Sequence, residues 1–224
     1  MLTQSSTNNI TKTENQAGFL SARKAAINIP MGNAVIEGPV AGIILSGMQL
    51  SKEMDSFRQP DVQLQSLVHI AGLPRGRVYI VHKGRTIVGY VTFHLPDTCS
   101  RWHDHPRIIE IGGIEVTREW RSCHVGGTLL KFVFRDEFWE NFIVIGLESF
   151  RNWDLKGSHL NVWEYRDMMD RLVQQVSFNP CFTRMYDVLE HPANALIARC
   201  GVHVSLDDWL FFKQIAARPP RSQA

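Results

Sequence analysis

A chain of 224 residues, 44% hydrophobic and 21% charged, has enough apolar side chains to close one substantial core and fits one catalytic domain with tails. Its formal net charge of +2 is too mild for the cationic face that nucleic-acid binding uses, and nothing in it argues for a membrane. Cys99, Cys123, Cys181 and Cys200 stand at no metal-ligand or redox-motif spacing, which suits a reducing cytoplasm.

Met1 to Gly18 is rich in Ser, Thr, Asn and Gln and lacks the apolar h-region of a secretory signal, so residues 1–33 read as a flexible polar arm. The run Asn33 to Pro39, closed by Gly38-Pro39, predicts a first strand. Loosely helical spacing of Ile43, Ile44, Leu45, Met48 and Leu50 predicts a helix from Gly42 to about Asp55, and Asp61 to Ala71 predicts a second, stopped by Gly72-Leu73-Pro74. Arg77–His82 and Thr86–Phe93 are β-rich runs around Lys83-Gly84-Arg85, hence a hairpin with Gly84 at a position needing positive φ. Leu95 to Arg107 reads as a solvated loop. His103 and His105 flank Asp104 there without the helical or finger frame of a zinc site, so no metal is expected.

Arg107 to Thr117 is apolar on both faces apart from Glu110 and Glu115, as in a central covered strand, and Gly112-Gly113 marks a bulge or a close approach. From Val125 the period changes. Val125, Leu129 and Val133, with Leu130, Phe134 and Phe138, form one helical face, and Phe142 to Leu147 is another buried strand. Strand, tight loop, amphipathic helix and strand make a βαβ-like unit.

The loop between them, Arg121-Ser122-Cys123-His124-Val125-Gly126-Gly127-Thr128, leads into a helix N-terminus. Unpaired amides, the positive end of the helix dipole and two residues without side chains suit an anion that spreads charge over several oxygens, such as a pyrophosphate. The plainer reading of the glycines is close packing of helix on strand. Neither G-x-G-x-x-G nor Gly-Lys-Ser/Thr is present, so a dinucleotide fold or P-loop does not fit.

This loop resembles motif A of the GNAT acetyltransferases, Arg/Gln-x-x-Gly-x-Gly/Ala after the central strand. Arg121 and Gly126 match, and His124 replaces the first glycine. Over roughly Val35 to Leu206 the chain is similar to the acetoin-utilization branch of that family. The blocks Ile70-Ala71-Gly72-Leu73-Pro74, Ile111 to Val116, Trp153-Asp154-Leu155-Lys156-Gly157, Val162 to Arg166 and His191 to Asn194 carry the similarity. The resemblance implies an α/β (α+β) GNAT fold over 34–212, a mixed, splayed central sheet with helices on both faces, a helical insertion at about 151–179 and a tail at 213–224. It also implies acetyl-CoA as acyl donor and a protein lysine acetyltransferase whose partner is acetyl-CoA synthetase, which it inactivates. Arg121 to Thr128 would hold the pyrophosphate, the backbone of Ile114, Glu115 and Val116 would pair with the pantetheine amides as an added strand does, and Asn194 would reach the cofactor.

Acetylating an amine requires a base, because free lysine is protonated near neutrality. Glu110 is the first candidate: it stands where lysine-acetylating members of the family carry their glutamate, and burial among Ile108, Ile109 and Ile111 should raise its pKa. Its alternative role is a structural carboxylate. Glu115 competes, and strand parity puts it opposite Glu110 unless the glycine bulge re-aims it. The tyrosine acid of many relatives is sought four residues before a Gly-Phe pair on the last helix; Ile197 precedes Gly201-Val202 there, so no acid is assigned. An acyl-cysteine route through Cys123 lacks an evident base. Trp153, Trp163 and Tyr165 read as core or protein-docking surface. Two rivals stand beside this reading, a small-amine acetyltransferase and a CoA-sensing module without catalysis.

Overall fold

The computed structural model describes residues 22–30 and 32–219, so the polar arm expected over Met1 to Gly18 lies outside the described residues. Strand β1 (Arg23–Ile29) pairs antiparallel with β2 (Gly32–Gly38), in register from Arg23↔Gly38 to Ile29↔Gly32. This corrects the arm boundary at residue 33: Arg23–Ile29 alternates half-buried and exposed positions and pairs through its backbone despite its polar composition. Helix α1 (Gly42–Leu45) is one turn only, correcting the helix expected to Asp55. Ile43 and Ile44 are exposed, Ser46-Gly47 ends the turn, and β3 (Gln49–Leu50) joins the start of the hairpin. Helix α2 (Pro60–Gly72) begins with proline at its first position and buries Leu67.

The hairpin forms as expected from β4 (Arg77–Lys83) and β5 (Thr86–His94), with Gly84 at φ +59°. Then come β6 (Ile108–Val116), α3 (Val125–Val133) and β7 (Ile143–Glu148), which runs parallel to β6. The region 151–179 holds α4 (Leu155–Ser158) and α5 (Val162–Gln174). Asn161 caps α5 in a reciprocal box with Glu164. The chain finishes with β8 (Asn179–Cys181), α6 (Tyr186–Leu189), β9 (Ala195–Cys200) and α7 (Leu206–Ala217); α7 crosses the expected domain end at 212.

Nine strands among the described residues make one mixed sheet in the order β1-β2-β4-β5-β6-β7-β9-β8, with β3 beside β5. Cross-strand partners share a face, which sorts the core. On one face, Val125, Leu129, Leu130 and Val133 of α3 pack on Val91, Phe93, Ile109, Val144 and Ile197, with Trp139 4.4 Å from the Phe93 ring. The opposite face is covered in two places. Leu67 of α2 packs over Val78, Ile80 and Tyr90, while Phe212, Ile215 and Ala216 of α7 pack over Ile108, Ile143, Ile145 and Leu196. Between those two patches the sheet is open.

Candidate active site

The β6–β7 ladder is short. Only Ile108↔Ile143, Ile109↔Val144 and Glu110↔Ile145 pair, whereas β6 stays paired with β5 to Val116 and β7 stays paired with β9 to Glu148. Beyond Glu110 the two strands therefore part, which is the splay. The Thr117 N–H donates to Val88 O at 2.9 Å, so by alternation along an antiparallel strand Glu115 turns its peptide groups to β5, while Ile114 and Val116 turn theirs to the gap. This corrects the expectation for Glu115, whose backbone belongs to the ladder. The edge groups of Ile114 and Val116 face the space where an added strand would pair.

At the end of β6 the chain makes a 3-10 turn (Arg118–Trp120) and reaches the loop before α3. Ser122 and His124 both have left-handed backbones, at φ +62° and +58°. His124 thus takes a conformation that glycine adopts without strain, and His tolerates that region better than most residues. From Ser122 to Gly127, six consecutive N–H groups have no acceptor among the described residues. Arg121 and Thr128 differ: the Arg121 N–H donates to Arg118 O at 3.1 Å and the Thr128 N–H and hydroxyl both donate to His124 O at 2.9 Å. These two expected donors close the loop from inside. The Arg121 side chain is also engaged, with Nε on Val116 O at 3.1 Å and Nη1 on Asp154 at 2.7 Å. Gly127 is buried, and a Cβ there would lie 3.0 Å from Gln175 Oε1, so packing against the end of α5 explains this glycine. Cys123 packs into the α3 core.

Glu110 lies at the mouth of the splay, on the face opposite α3. It borders a cleft of about 370 Å³ with His94, Asp97, Ser100, Trp102, Gly112, Ile145, Leu147, Met185 and Leu196. Burial pushes its carboxyl above the usual range, with Asp97 adding to the effect and His94 opposing it. His94 is its cross-strand partner, with the ring Nδ1 2.8 Å from Leu95 O. Opposite Thr92 and Phe93 the register skips Gly112, the bulge expected from the glycine pair; a Cβ at Gly112 would come within 2.8 Å of Thr92 Oγ1 and 3.0 Å of the His94 ring. The bulge re-aims Glu115. Because Glu110 pairs with His94 and Glu115 with Tyr90, both glutamates share one face. Glu115 is only 5% exposed, and its two oxygens accept from Tyr90 Oη at 2.9 Å and Ser56 N–H at 3.0 Å. It is held, whereas Glu110 faces open space.

Two expectations near the chain end are overturned. The helix expected around Ile197 is strand β9, because Ala195 to Ala198 are buried on both faces between β7 and β8. The helix that follows β7 is α5. It ends at Gln174, a turn leads to Ser177-Phe178 with Ser177 at φ +67°, and the residue four before Ser177 is buried Val173, so no tyrosine occupies that place either. Asn194 is a structural tie: its Oδ1 accepts from Phe150 N–H at 2.9 Å and its Nδ2 donates to Asp187 O at 2.7 Å. Trp153 stacks on Tyr165 at 5.0 Å, while Trp163 is 56% exposed and outside the core.

Sequence reasoning missed Glu148. It ends β7, is 7% exposed and lies 3.2 Å from Arg166 Nη1 of α5; burial pushes its carboxyl up to about 7 against the pull of Arg166, with Asp170 assisting. A carboxylate closing an apolar strand run was the only clue available. Among the described residues, no group of three or more His, Cys, Asp or Glu is placed to hold a metal, and no helix is long and apolar enough to cross a membrane.

An open edge on a splayed mixed sheet, bordered by an amide-lined helix entrance, defines a class, and comparison with known proteins gives the same one. Residues 46–149 match the model of the acetyltransferase (GNAT) family, and the chain belongs to that family of N-acetyltransferases, which use acetyl-CoA. Within it, the chain is 44% identical over 183 residues to the acetoin utilization protein AcuA of Bacillus subtilis, covering 81% of this chain and 87% of that one. It is 40% identical over 176 residues to AcuA of Bacillus licheniformis, covering 78% and 84%. The crystal structure of an acetoin utilization protein from Exiguobacterium sibiricum superposes with a TM-score of 0.85 at 35% identity, covering 90% of this chain and 97% of that one.

Proposed function

We propose that the chain is a protein lysine acetyltransferase that transfers the acetyl group of acetyl-CoA by direct attack of a lysine amine, with acetyl-CoA synthetase as its substrate. The observation that carries this reading is the position of Glu110, a half-buried carboxylate with a raised pKa in an open cleft where β6 and β7 part. The six amides from Ser122 to Gly127 take the diphosphate, and the dipole of α3 favours its charge. The pantetheine arm lies along the edge of Ile114 and Val116. From Val116 back to Glu110 is six residues of strand, about 20 Å, a span that an extended pantetheine arm covers. The thioester then passes through the gap to the α7 face, where the amine enters the cleft.

The steps balance simply. Glu110 accepts a proton from the lysine ammonium, the neutral nitrogen attacks the thioester carbonyl, and the tetrahedral intermediate collapses with cleavage of the C–S bond while the nitrogen's second proton passes to water, leaving the neutral amide. CoA leaves as thiolate, since thiol pKa values lie close enough to neutrality for departure without a dedicated acid. The resemblance read from the sequence is what points to a protein acceptor and to acetyl-CoA synthetase. The test is incubation with acetyl-CoA and acetyl-CoA synthetase followed by intact-mass analysis and lysine mapping. One dominant acetyl-lysine is expected. Turnover of small amines with no modified lysine would replace this reading with small-molecule acetylation.

A further inference from the structure

Where β6 and β7 part, no backbone ladder sets the width of the gap, yet a slot for an acyl-CoA arm needs walls at a fixed spacing. The first 3-10 turn after β7 (Phe150–Asn152) leads directly to Asp154, and the chain after β6 carries Arg118 and Arg121. Asp154 Oδ2 accepts from Arg118 Nε at 3.0 Å and from Arg121 Nη1 at 2.7 Å, while its Oδ1 caps α4 through Gly157 N–H at 2.9 Å. Each arginine is anchored again on the β6 side: Arg121 Nε holds Val116 O at 3.1 Å, and Arg118 Nη2 holds Asp55 at 2.8 Å. One carboxylate thus joins the continuation of β7 to the end of β6 and to the segment before α2.

We infer that Asp154 is a positioning residue that sets the width of the acyl-CoA slot by clamping Arg118 and Arg121 across the splay, so that the Ile114 and Val116 edge and the Ser122–Gly127 amides are held ready for the donor. The inference rests on the proposed occupancy of that gap by acyl-CoA. An ordinary surface ion pair would contribute little. This one differs because the Asp154 side chain is 9% exposed and accepts three hydrogen bonds from three different anchors. Burial would raise its carboxyl, but the bonds from Arg118, Arg121 and Gly157 prevail and hold it at about 2, so the clamp stays charged throughout the physiological range. Arg121 therefore serves the donor site through the backbone it fixes, with its guanidinium already occupied.

The test uses calorimetric titration of acetyl-CoA and CoA into the full chain, steady-state kinetics and thermal melts for Asp154→Asn, Asp154→Ala, Arg121→Gln and the Asp154→Asn/Arg121→Gln double variant. Weakening of acetyl-CoA binding by at least about tenfold is expected for Asp154→Asn, appearing in KM, with kcat at saturating donor within about threefold. The double variant should be no more than about twofold weaker than Asp154→Asn alone, because both changes open one clamp. Donor affinity within about twofold of the parent in both Asp154 variants, a loss confined to kcat, or fully additive losses would each overturn the inference. If Asp154→Ala fails to fold, Arg118→Gln reads the same clamp from the β6 side with the same expected KM effect. A parent protein that binds no CoA would remove the donor-site reading itself, a result distinguishable from variants that bind as well as the parent.

Discussion

The two halves of the sheet hold together by different means. Along β1-β2-β4-β5-β6 neighbouring strands pair antiparallel, with seven pairs between β1 and β2, three between β2 and β4 and a ladder from His94↔Glu110 to Gly89↔Val116, while β3 lies parallel beside β5 and the aromatic packing of Tyr79, Phe93 and Trp139 backs the sheet. Between β6 and β7 the pairing lasts three residues, and beyond it the chain after β7 is tied to the chain after β6 through side chains, Asp154 with Arg118 and Arg121. The difference teaches where this fold can take a ligand. Ladder hydrogen bonds fill a sheet edge, whereas charged side chains hold two walls at a distance and leave the edge groups of Ile114 and the N–H of Val116 available, with Val116 O already bonded to Arg121 Nε.

The comparison can be broken first in its paired half. Trp139→Ala empties space among Tyr79, Phe93 and Phe134 and should cost about 3–5 kcal/mol of stability by denaturant titration. Whatever protein remains folded should bind acetyl-CoA normally, since this cluster lies away from the gap. Next comes the pH dependence of Glu148. Its folded pKa, about 7, lies above its ordinary value of 4.5, so the stability it contributes is complete below about 4.5 and is lost as pH rises through about 7. Urea melts across that window should show parent stability falling by about 3 kcal/mol relative to Glu148→Gln; parallel curves would place the titration elsewhere.

Glu110→Gln sharpens the chemistry of the gap. It should lower kcat by about a hundredfold or more while leaving acetyl-CoA affinity near that of the parent. In the parent, kcat/KM should rise with pH through a value above the ordinary carboxylate range, because only ionised Glu110 accepts the proton and burial raises its pKa. An unchanged rate in the variant would take Glu110 out of the mechanism. The smallest effect belongs to His124→Gly. The backbone at φ +58° already suits glycine, so stability should move by less than about 1 kcal/mol and donor affinity should stay constant, whereas a large loss of affinity would mean that the imidazole itself meets the ligand.

Legibility in the sequence followed periodicity. The hairpin of β4 and β5, the covered strand β6 and the β6–α3–β7 unit were readable because each carries its period in buried residues that also pack. Strand β1 was not readable: Arg23, Lys24 and Asn28 give it the polarity of a tail, and only pairing with β2 makes it a strand. Strand β9 stands where the family's acid pattern implied a helix around Ile197; Ala195, Leu196, Ala198 and Arg199 favour helix intrinsically, and burial between β7 and β8 overrides that preference. Glu110 could be singled out from its apolar flanks. The face of Glu115 could not, since it depends on a single skipped residue at Gly112. The roles of Asp154 and Glu148 depend on partners more than thirty residues away or across the insertion, and no local pattern encodes such pairs.

A row of amides that grasps only the diphosphate recognises the handle of its reagent and never the cargo. With the diphosphate on Ser122 to Gly127 as proposed, spent carrier and loaded carrier compete for the same amides on nearly equal terms, and turnover should fall as CoA accumulates against acetyl-CoA.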